Sequence, residues 1–561
     1  MYRLSAQWAR IAAVLIAITL LVPAVVSGVS AQDADGNVLR VHHTTYPDDF
    51  DPQKSSFTNE IDILALAYEG LTRLDTDQAT VPAAAESWEY NEDATSITFT
   101  LREGLQYSDG TPLTAENFRY AVQRTCDPRV AGEYQSILFE IVGCADFAGL
   151  GGDAENPVEY TDEEWQAAAD ALGVTAVDDL TLQIDLTNPA PYYHTIAYMW
   201  VFYPVKQEIA EANPDDWWQD AANHIGNGPF TITEIVEDQL IGFDANENYW
   251  QGSPLLGGIE YIYQGESAVA LEAYVNGDLD MMQVDPSQIP QIAADPALAE
   301  EMVAYPTAST FTLSMNLVQE PFNELAVREA FSYAFDRETY CSVIRNGDCS
   351  ATLSWIPEGI LGSIETDQYA FDPEAAVAAL AASSYGGPDG LPEIALYFNS
   401  DDSANTARAE WIAGQFRDVL GVEVVLSPTE GTTLVDLRKS PESFPQLLLV
   451  GGWIQDYPDP QNWLSVYFKC DAAFALRFGY CNEEFDALVT EADQLSDPDE
   501  RAALYEQASQ ILVDDQPGPF LYNQQSVTLV KPNVTGYTPT ASEVEWPGSL
   551  ASQMTLDIVE E

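Results

Sequence analysis

Positive charge is scarce in this sequence. Its 561 residues include 21 Lys and Arg against 90 Asp and Glu, which gives a formal net charge of -69. Such a field repels nucleic-acid phosphates and anionic membranes, so we expect no nucleic-acid partner. The acidity also makes pairs of carboxylates uninformative as catalytic signals, because they recur throughout the chain and are expected to form a solvated surface.

The common catalytic signatures are missing as well. The sequence has no GxSxG elbow, no glycine-rich phosphate loop with Lys and Ser, and no HExxH motif. The sequence has only four histidines, at positions 42, 43, 194 and 224. His42 and His43 are adjacent, and neighbours in a strand point to opposite faces, so they are expected to be ordinary strand residues. We therefore predict no enzyme, no cofactor and no metal site; a secreted acidic hydrolase stays open as an alternative.

Long apolar runs are absent except near the N-terminus. There, Arg3 and Arg10 precede IAAVLIAITLLVPAVV, and the small-residue pattern Val29-Ser30-Ala31 follows. This order predicts a signal peptide over residues 1–31, cut after Ala31. An uncleaved membrane anchor is the alternative, although Pro23 favours cleavage. No cysteine follows the apolar run to carry a lipid. We expect an exported protein that is extracellular, at the cell surface or periplasmic.

The six cysteines fit export to an oxidising compartment. They fall into neighbouring pairs: Cys126 and Cys144, Cys341 and Cys349, and Cys470 and Cys481. Six cysteines allow 15 connectivities, and the local pairs are the simplest prediction. A metal site is the alternative, but no CxxC or Cys/His spacing supports it.

The length suggests two or three domains. SITFTL (96–101) alternates polar and apolar residues, and Thr114 is suited to cap a helix whose apolar face holds Phe118, Ala121 and Val122. Further strand-like runs are TLQIDL, IEYIYQ, TLSMNL, EIALYF, GVEVVL and QLLLV, and helical patterns separate many of them. This mixture predicts an α/β protein with several sheets.

The stretch GWIQDYPDP (452–460) follows the apolar run QLLLV after a single residue, Gly451. A buried strand there would place Asp456 at the carboxyl end of a sheet, where α/β proteins bind ligands. Pro458 and Pro460 stiffen the loop. Trp453 and Tyr457 lie on either side of Asp456 in sequence, and aromatic faces attract cations. The combination suits an ammonium group, whereas Asp459 is expected to be a turn residue. The alternative is an Asp that caps a turn beside core aromatics.

Several segments in fixed order carry a family resemblance. YEGLTRLD begins at Tyr68, and ESWEYNEDATSITFTLREGLQYSDGTPLTAENF spans 86–118. IGNGPF, NENYW, MNLVQEPFNELAVREAFSYAFDRE and GWIQDYPDPQNWL follow. The chain resembles the bacterial extracellular solute-binding proteins of family 5 from about Val38 to its C-terminus. These are the oligopeptide-, dipeptide- and nickel-type binding subunits of ABC importers.

The resemblance implies a large, two-lobed, periplasmic-binding-protein-like α/β fold of class II type with an extra subdomain. Lobe I is expected at 38–81, 200–304 and 522–561. The extra subdomain is expected at 82–199 and lobe II at 305–521. Two crossovers, near Tyr305–Asn316 and at Asn523, would form the hinge, and the ligand would lie between the lobes.

The resemblance also implies a monomeric, non-enzymatic subunit that hands its ligand to ABC permease subunits in the membrane. In peptide-binding members, an aspartate in the matching DY pair holds the peptide's α-ammonium, and this implies that role for Asp456, flanked by Trp453 and Tyr457. The loop reads DYPDP from Asp456 onward, and other members vary at the residues after the aspartate. A sugar oligomer, an opine or a metal chelate therefore stays open as the ligand, with Trp453, Tyr457 and Trp463 available to stack on sugar rings.

Overall fold

The computed structural model describes residues 37–150, 160–400, 402, 404–542 and 552–559. The predicted signal peptide, residues 1–31, lies outside the described residues. Within those described ranges, no helix is long and apolar enough to cross a bilayer.

The strand and the helix predicted from local sequence patterns are present, and each buries one face. Ser96–Leu101 is a strand that buries Ile97, Phe99 and Leu101. Thr114 caps the helix Ala115–Cys126, and its backbone amide donates to the side chain of Asn117 at 2.8 Å. The same helix buries the predicted face of Phe118, Ala121 and Val122. These strand and helix predictions are confirmed.

Strands and helices alternate along the described chain, which confirms the α/β class. The strands are β1 (Val38–His43), β2 (Thr72–Leu74), β3 (Thr80–Pro82), β4 (Ala85–Tyr90), β5 (Ser96–Leu101), β6 (Val174–Asp178), β7 (Thr181–Asp185), β8 (Phe230–Val236), β9 (Leu240–Ala245), β10 (Gly258–Tyr263), β11 (Met281–Gln283), β12 (Met302–Pro306), β13 (Ser309–Met315), β14 (Cys349–Ala351), β15 (Ile394–Asn399), β16 (Val424–Thr429), β17 (Leu447–Ile454), β18 (Phe520–Val530), β19 (Val534–Thr535) and β20 (Asp557–Ile558). Each of the six strand-like runs predicted from the sequence overlaps one of these strands.

The α-helices are α1 (Thr58–Ala67), α2 (Ala115–Cys126), α3 (Cys144–Ala148), α4 (Asp162–Asp170), α5 (Gln207–Ala212), α6 (Ser267–Asn276), α7 (Ile289–Ala294), α8 (Pro296–Glu301), α9 (Leu325–Tyr333), α10 (Arg337–Thr339), α11 (Pro373–Ala382), α12 (Ala404–Leu420), α13 (Gly431–Leu437), α14 (Pro460–Trp463), α15 (Ser465–Phe468), α16 (Ala473–Phe478), α17 (Glu483–Gln494) and α18 (Pro498–Asp515). A π-helical turn, Tyr340–Ile344, continues α10. Short 3₁₀ turns complete the described elements.

One large sheet runs through the molecule. Its strands follow the order β16-β15-β17-β13-β18-β11-β1-β10-β9-β8, and β12 and β14 also pair with β18. The pairs β1–β10, β1–β11, β15–β16 and β15–β17 are parallel, whereas β13–β17 and β8–β9 are antiparallel. A separate sheet, β4-β5-β7-β6, falls inside the range predicted for the extra subdomain.

The stretch IGNGPF, which contains Gly226 and Gly228, packs tightly against the end of α1. The amide of Gly228 donates to the carbonyl of Ala67 at 2.9 Å. The side chain of Asn227 accepts from the amide of Glu69 at 3.0 Å and donates to the carbonyl of Glu69 at 2.9 Å. A side chain at Gly228 would meet main-chain atoms of Ala67 and Tyr68 at 2.5 Å. The stretch is thus a rigid attachment between two segments.

All six cysteines form the predicted local disulfides. Cys126 bonds to Cys144, Cys341 to Cys349 and Cys470 to Cys481, with Cα–Cα distances of 5.3, 5.3 and 4.4 Å. Each bond closes a loop of the chain and stabilises the fold mainly by constraining the unfolded state. The described residues contain no group of metal-ligating side chains, and His42 and His43 are buried in β1.

The contact at Gly228 yields a stability prediction. We expect Gly228→Ala to lower the free energy of unfolding by about 1–3 kcal/mol, because the new methyl group meets main-chain atoms that cannot rotate away. The matched control is Gly414→Ala in α12, where the new Cβ would approach nothing closer than 3.6 Å. Urea unfolding followed by circular dichroism measures both, and equal midpoints for the two variants would contradict the prediction.

Candidate ligand-binding site

The chain leaving β17 forms one wall of a cavity of about 320 Å³. The wall runs from Gly451 to Asp456. The opposite side comes from α1, which contributes Thr58 and Ile61, and from an aromatic run further along the chain. The rings that line the cavity are Tyr134, Tyr198, Trp200, Tyr203, Phe311 and Trp453. Residues of both predicted lobes therefore surround one aromatic-rich space.

Asp456 is held in a fixed position at the cavity. The hydroxyl of Tyr134 donates to its Oδ1 at 3.1 Å, and Nδ2 of Asn462 donates to its Oδ2 at 2.9 Å. Its own amide donates to Oδ1 of Asn462 at 3.0 Å. The hydroxyl of Tyr198 donates to its carbonyl oxygen. These hydrogen bonds restrict rotation of the carboxylate, as we expected from the two prolines in the loop.

Asp456 has no basic partner among the described residues. Burial raises the pKa of Asp456 to about 6, and the hydrogen bonds from Asn462 and Tyr134 lower it in part. The carboxyl group is thus largely ionised at pH 7 but poorly solvated. A charge in that condition gains most from a cationic ligand, because a desolvated, charge-assisted hydrogen bond is strong.

Trp453 reaches the cavity, whereas Tyr457 does not line it. Nε1 of Trp453 donates to Oδ1 of Asn462 at 2.9 Å, so one asparagine orients both Trp453 and Asp456. The side chain of Tyr457 is 1% exposed and belongs to the largest buried hydrophobic cluster of the described residues. Its hydroxyl donates to the side chain of Gln461. The sequence predicted that Trp453 and Tyr457 flank Asp456. In the structure, the two rings near its carboxylate are those of Trp453 and Tyr134, and Tyr457 is buried outside the cavity lining.

Two neighbouring residues serve the fold instead of the cavity. Asp459 accepts from the amide of Gln461 at 2.9 Å, which caps α14 as a turn residue should. Both of its oxygens also accept from Arg501, at 2.8 and 2.9 Å. Trp463 is 0% exposed, so it has no surface with which to stack on a sugar ring.

Several residues that line the cavity were not predicted from the sequence. Tyr134, Tyr198, Trp200 and Tyr203 precede Asp456 by more than two hundred residues in the chain. The run from Tyr192 to Tyr203 is unusually aromatic, and this was the one local signal that could have drawn attention to it. Arg438, which also lines the cavity, carried no such signal.

Comparison with known proteins identifies related chains over nearly the whole length. The model of the bacterial extracellular solute-binding proteins, family 5 middle region, matches residues 79–475. The oligopeptide-binding protein OppA of Bacillus subtilis is 26% identical over 91% of this chain and 92% of its own. The probable deoxycholate-binding periplasmic protein YgiS of Escherichia coli is 29% identical over 90% and 91%.

Solved structures share the fold. The Escherichia coli murein tripeptide binding protein MppA superimposes with a TM-score of 0.76 at 24% identity, over 94% of this chain and 99% of that one. The predicted two-lobed, periplasmic-binding-protein-like architecture is therefore confirmed.

The contacts of Asp456 yield a prediction about its titration. Asn462→Ala and Tyr134→Phe each remove a donor that favours the ionised form, so both should raise the pKa of Asp456 above its value of about 6. The larger rise is expected for Asn462→Ala. Carbon-13 NMR titration of the Asp456 carboxyl measures the shift.

Tyr397→Phe, a change in β15 outside the cavity lining, is the matched control. An unchanged pKa in Tyr134→Phe would contradict the hydrogen-bond pattern, and this variant loses only a hydroxyl group, so the loop itself is preserved.

Proposed function

Because this chain belongs to the bacterial extracellular solute-binding proteins of family 5, we propose that it is the binding subunit of an ABC importer and that it captures short peptides between its two lobes. The subunit is exported, acts as a monomer outside the cytoplasm and delivers its ligand to permease subunits in the membrane. It has no catalytic activity of its own. The relatives named for oligopeptide and murein tripeptide binding support this choice of ligand.

The observation that carries the proposal is the carboxylate of Asp456. It lies at the cavity, it is fixed by two donors, and it has no basic partner among the residues that the structure describes. We assign it the α-ammonium group of the peptide. Trp453 and Tyr134 flank this position and exclude water from the ion pair, which strengthens it.

We expect the aromatic lining to contact the side chain of the ligand's first residue. Trp200, Tyr203 and Phe311 offer apolar surface with few hydrogen-bond requirements. Such a wall accepts side chains of different shape, because the burial of apolar area is not directional. A non-peptide amphipathic ligand is the second candidate, and the relative named for deoxycholate binding favours it over a sugar, an opine or a metal chelate.

The sheet pairing supports the proposed lobes, with lobe I at 38–81, 200–304 and 522–561, the extra subdomain at 82–199 and lobe II at 305–521. The first part of β18 pairs with β13 and β14 through Phe520 to Gln524, and the remainder pairs with β12 and β11 from Gln525 onward. The amide of Thr307, between β12 and β13, donates to the carbonyl of Gln524 at 2.9 Å. This pairing supports a hinge at the two proposed crossovers, which would lie side by side there.

The ammonium role predicts the effect of one substitution. Asp456→Asn should weaken the binding of a free-amine peptide at least tenfold, about 1.4 kcal/mol, because the amide keeps the shape and loses the charge. N-terminal acetylation of the peptide should weaken binding to the unmodified protein in the same way.

Calorimetry with peptides recovered from the purified protein measures both effects. Asp238→Asn, an exposed change at a turn residue with a φ of 59° that Asn also tolerates, is the control. Unchanged affinity in Asp456→Asn would remove the ammonium role, and recovery of a bile-acid-like molecule in place of peptides would favour the second candidate.

The titration of Asp456 predicts a pH dependence of binding. The group has a raised pKa of about 6 in the ligand-free protein, and only its ionised form pairs with an ammonium group. The affinity for the peptide should therefore change little with pH around pH 7. Below pH 6 it should fall about tenfold per pH unit, because Asp456 must lose one proton before the ligand binds.

Isothermal titrations between pH 4.5 and 7.5 measure this slope, and Asp456→Asn should abolish it. Asp49 has a pKa raised to about 6, and Glu69 and Asp493 have pKa values raised to about 7, but none of the three lines the cavity. A slope that persists in Asp456→Asn would assign the titration to a group other than Asp456.

A further inference from the structure

The ring of Tyr457 is buried in a hydrophobic cluster that other parts of the chain build. The other buried members of this cluster are residues within 39–281, together with Val534 and Leu556. All of them fall in the ranges proposed for lobe I and the extra subdomain. Among the described residues, Tyr457 is the only member of the cluster from the range 305–521, which is proposed for lobe II. One ring of the proposed lobe II therefore completes the core of the other parts.

The polar bonds of Tyr457, in contrast, stay within its own loop. Its hydroxyl donates to the side chain of Gln461, and its carbonyl accepts from the amide of Asp459 at 2.8 Å. Asp459 is fixed in turn by Arg501, which donates to its two oxygens at 2.8 and 2.9 Å. Residues of the proposed lobe II thus hold the ring in position, and the apolar surface that buries it comes from elsewhere. Such preorganisation reduces the entropy that is lost when two surfaces join.

A second contact crosses the same boundary. The guanidinium of Arg501 lies 5.6 Å from the ring centre of Tyr192, within the range of a cation–π contact. Tyr192 belongs to the same buried cluster as Tyr457. Burial raises the pKa of the Tyr192 hydroxyl, and the nearby carboxylates of Glu140 and Asp493 raise it further. Groups from the extra subdomain and from lobe II, as proposed, are therefore closely packed around Tyr457.

Tyr457 is also linked to the ligand site, because it follows Asp456 directly in the chain. The hydroxyls of Tyr134 and Tyr198, both in the proposed extra subdomain, donate to the carboxylate and the carbonyl of Asp456. Withdrawal of the Tyr457 ring from its cluster would move Asp456 away from both hydroxyls. The burial of Tyr457 and the position of the Asp456 carboxylate are therefore coupled through one peptide bond.

Resting on the proposed peptide function, we propose that Tyr457 is a positioning residue that holds the two lobes together around any bound peptide without touching the peptide. Tyr457 does not line the cavity. Separation of the lobes would expose its ring, so the contact exists only in the closed form and slows the opening that releases the ligand. The encounter with the peptide precedes closure and does not involve this contact. Tyr457 thus acts on the dissociation rate and not on the choice of ligand.

Stopped-flow fluorescence measures both rate constants, because Trp200 and Trp453 line the cavity and report on the ligand. We expect Tyr457→Ala to raise the dissociation rate constant at least about tenfold and to change the association rate constant less than about threefold. Tyr457→Phe keeps the buried ring and should restore both constants. Tyr480→Ala is the matched control and should change neither, because Tyr480 is buried in a cluster whose buried members all lie within 305–521.

A second comparison distinguishes this role from a contact with the ligand. Tyr457→Ala should weaken the binding of a free-amine peptide and of its N-acetylated form by the same factor, because the ring touches neither. Asp456→Asn should weaken the binding of the free-amine peptide alone. Tyr457→Gln is a further variant for the same measurements, since its polar side chain is suited to an exposed loop should Tyr457→Ala fold poorly.

Dissociation rate constants of Tyr457→Ala and Tyr457→Gln within about threefold of the intact protein overturn the inference and leave the peptide function intact. Lost discrimination between the free-amine and acetylated peptides in these variants also overturns it, because Tyr457 would then act through the ligand site. Failure of both peptides to bind the intact protein overturns the peptide function, and the inference falls with it.

Discussion

Strand β18 is the constraint on which the large sheet depends. It pairs with four strands, β13 and β14 at its start and β11 and β12 toward its end. Its side chains are buried along most of its length, so it contributes to the core on both sides of the change of partner. Strands β12 and β13 both pair with β18, and Thr307 between them donates to Gln524 of the same strand. In the proposed two-lobe arrangement, this point would be the hinge.

A second junction joins three of the family motifs directly to one another. Glu69, from YEGL, accepts from the hydroxyl of Tyr249 and from Nε1 of Trp250, both at 2.6 Å. Tyr249 and Trp250 belong to NENYW, and Asn227 of IGNGPF bonds both main-chain groups of Glu69. Arg102 lies over Trp250 at 3.7 Å. These motifs serve the architecture, which is why they identify the family without identifying the ligand.

The sequence predicts most of the elements because their patterns are local. The alternation in 96–101 and the run before GWIQDYPDP are read directly as strands, and Asp456 follows as a fixed group at a strand's end. The direction of the Tyr457 side chain could not be predicted in the same way. Asp456 and Tyr457 are adjacent, and neighbouring side chains in an extended loop point to opposite sides. When Asp456 faces the cavity, Tyr457 therefore enters the core. The opposite wall, from Tyr134 to Tyr203, depends on tertiary packing between segments far apart in the chain.

The three disulfides acquire a mechanical meaning from their positions. Their cysteines are 18, 8 and 11 residues apart, and no bond links the chain on one side of Thr307 or Gln524 to the chain on the other. Covalent cross-linking therefore stiffens individual loops and does not bridge the proposed hinge. If the lobes open and close there as proposed, that motion would not depend on the redox state of the surroundings.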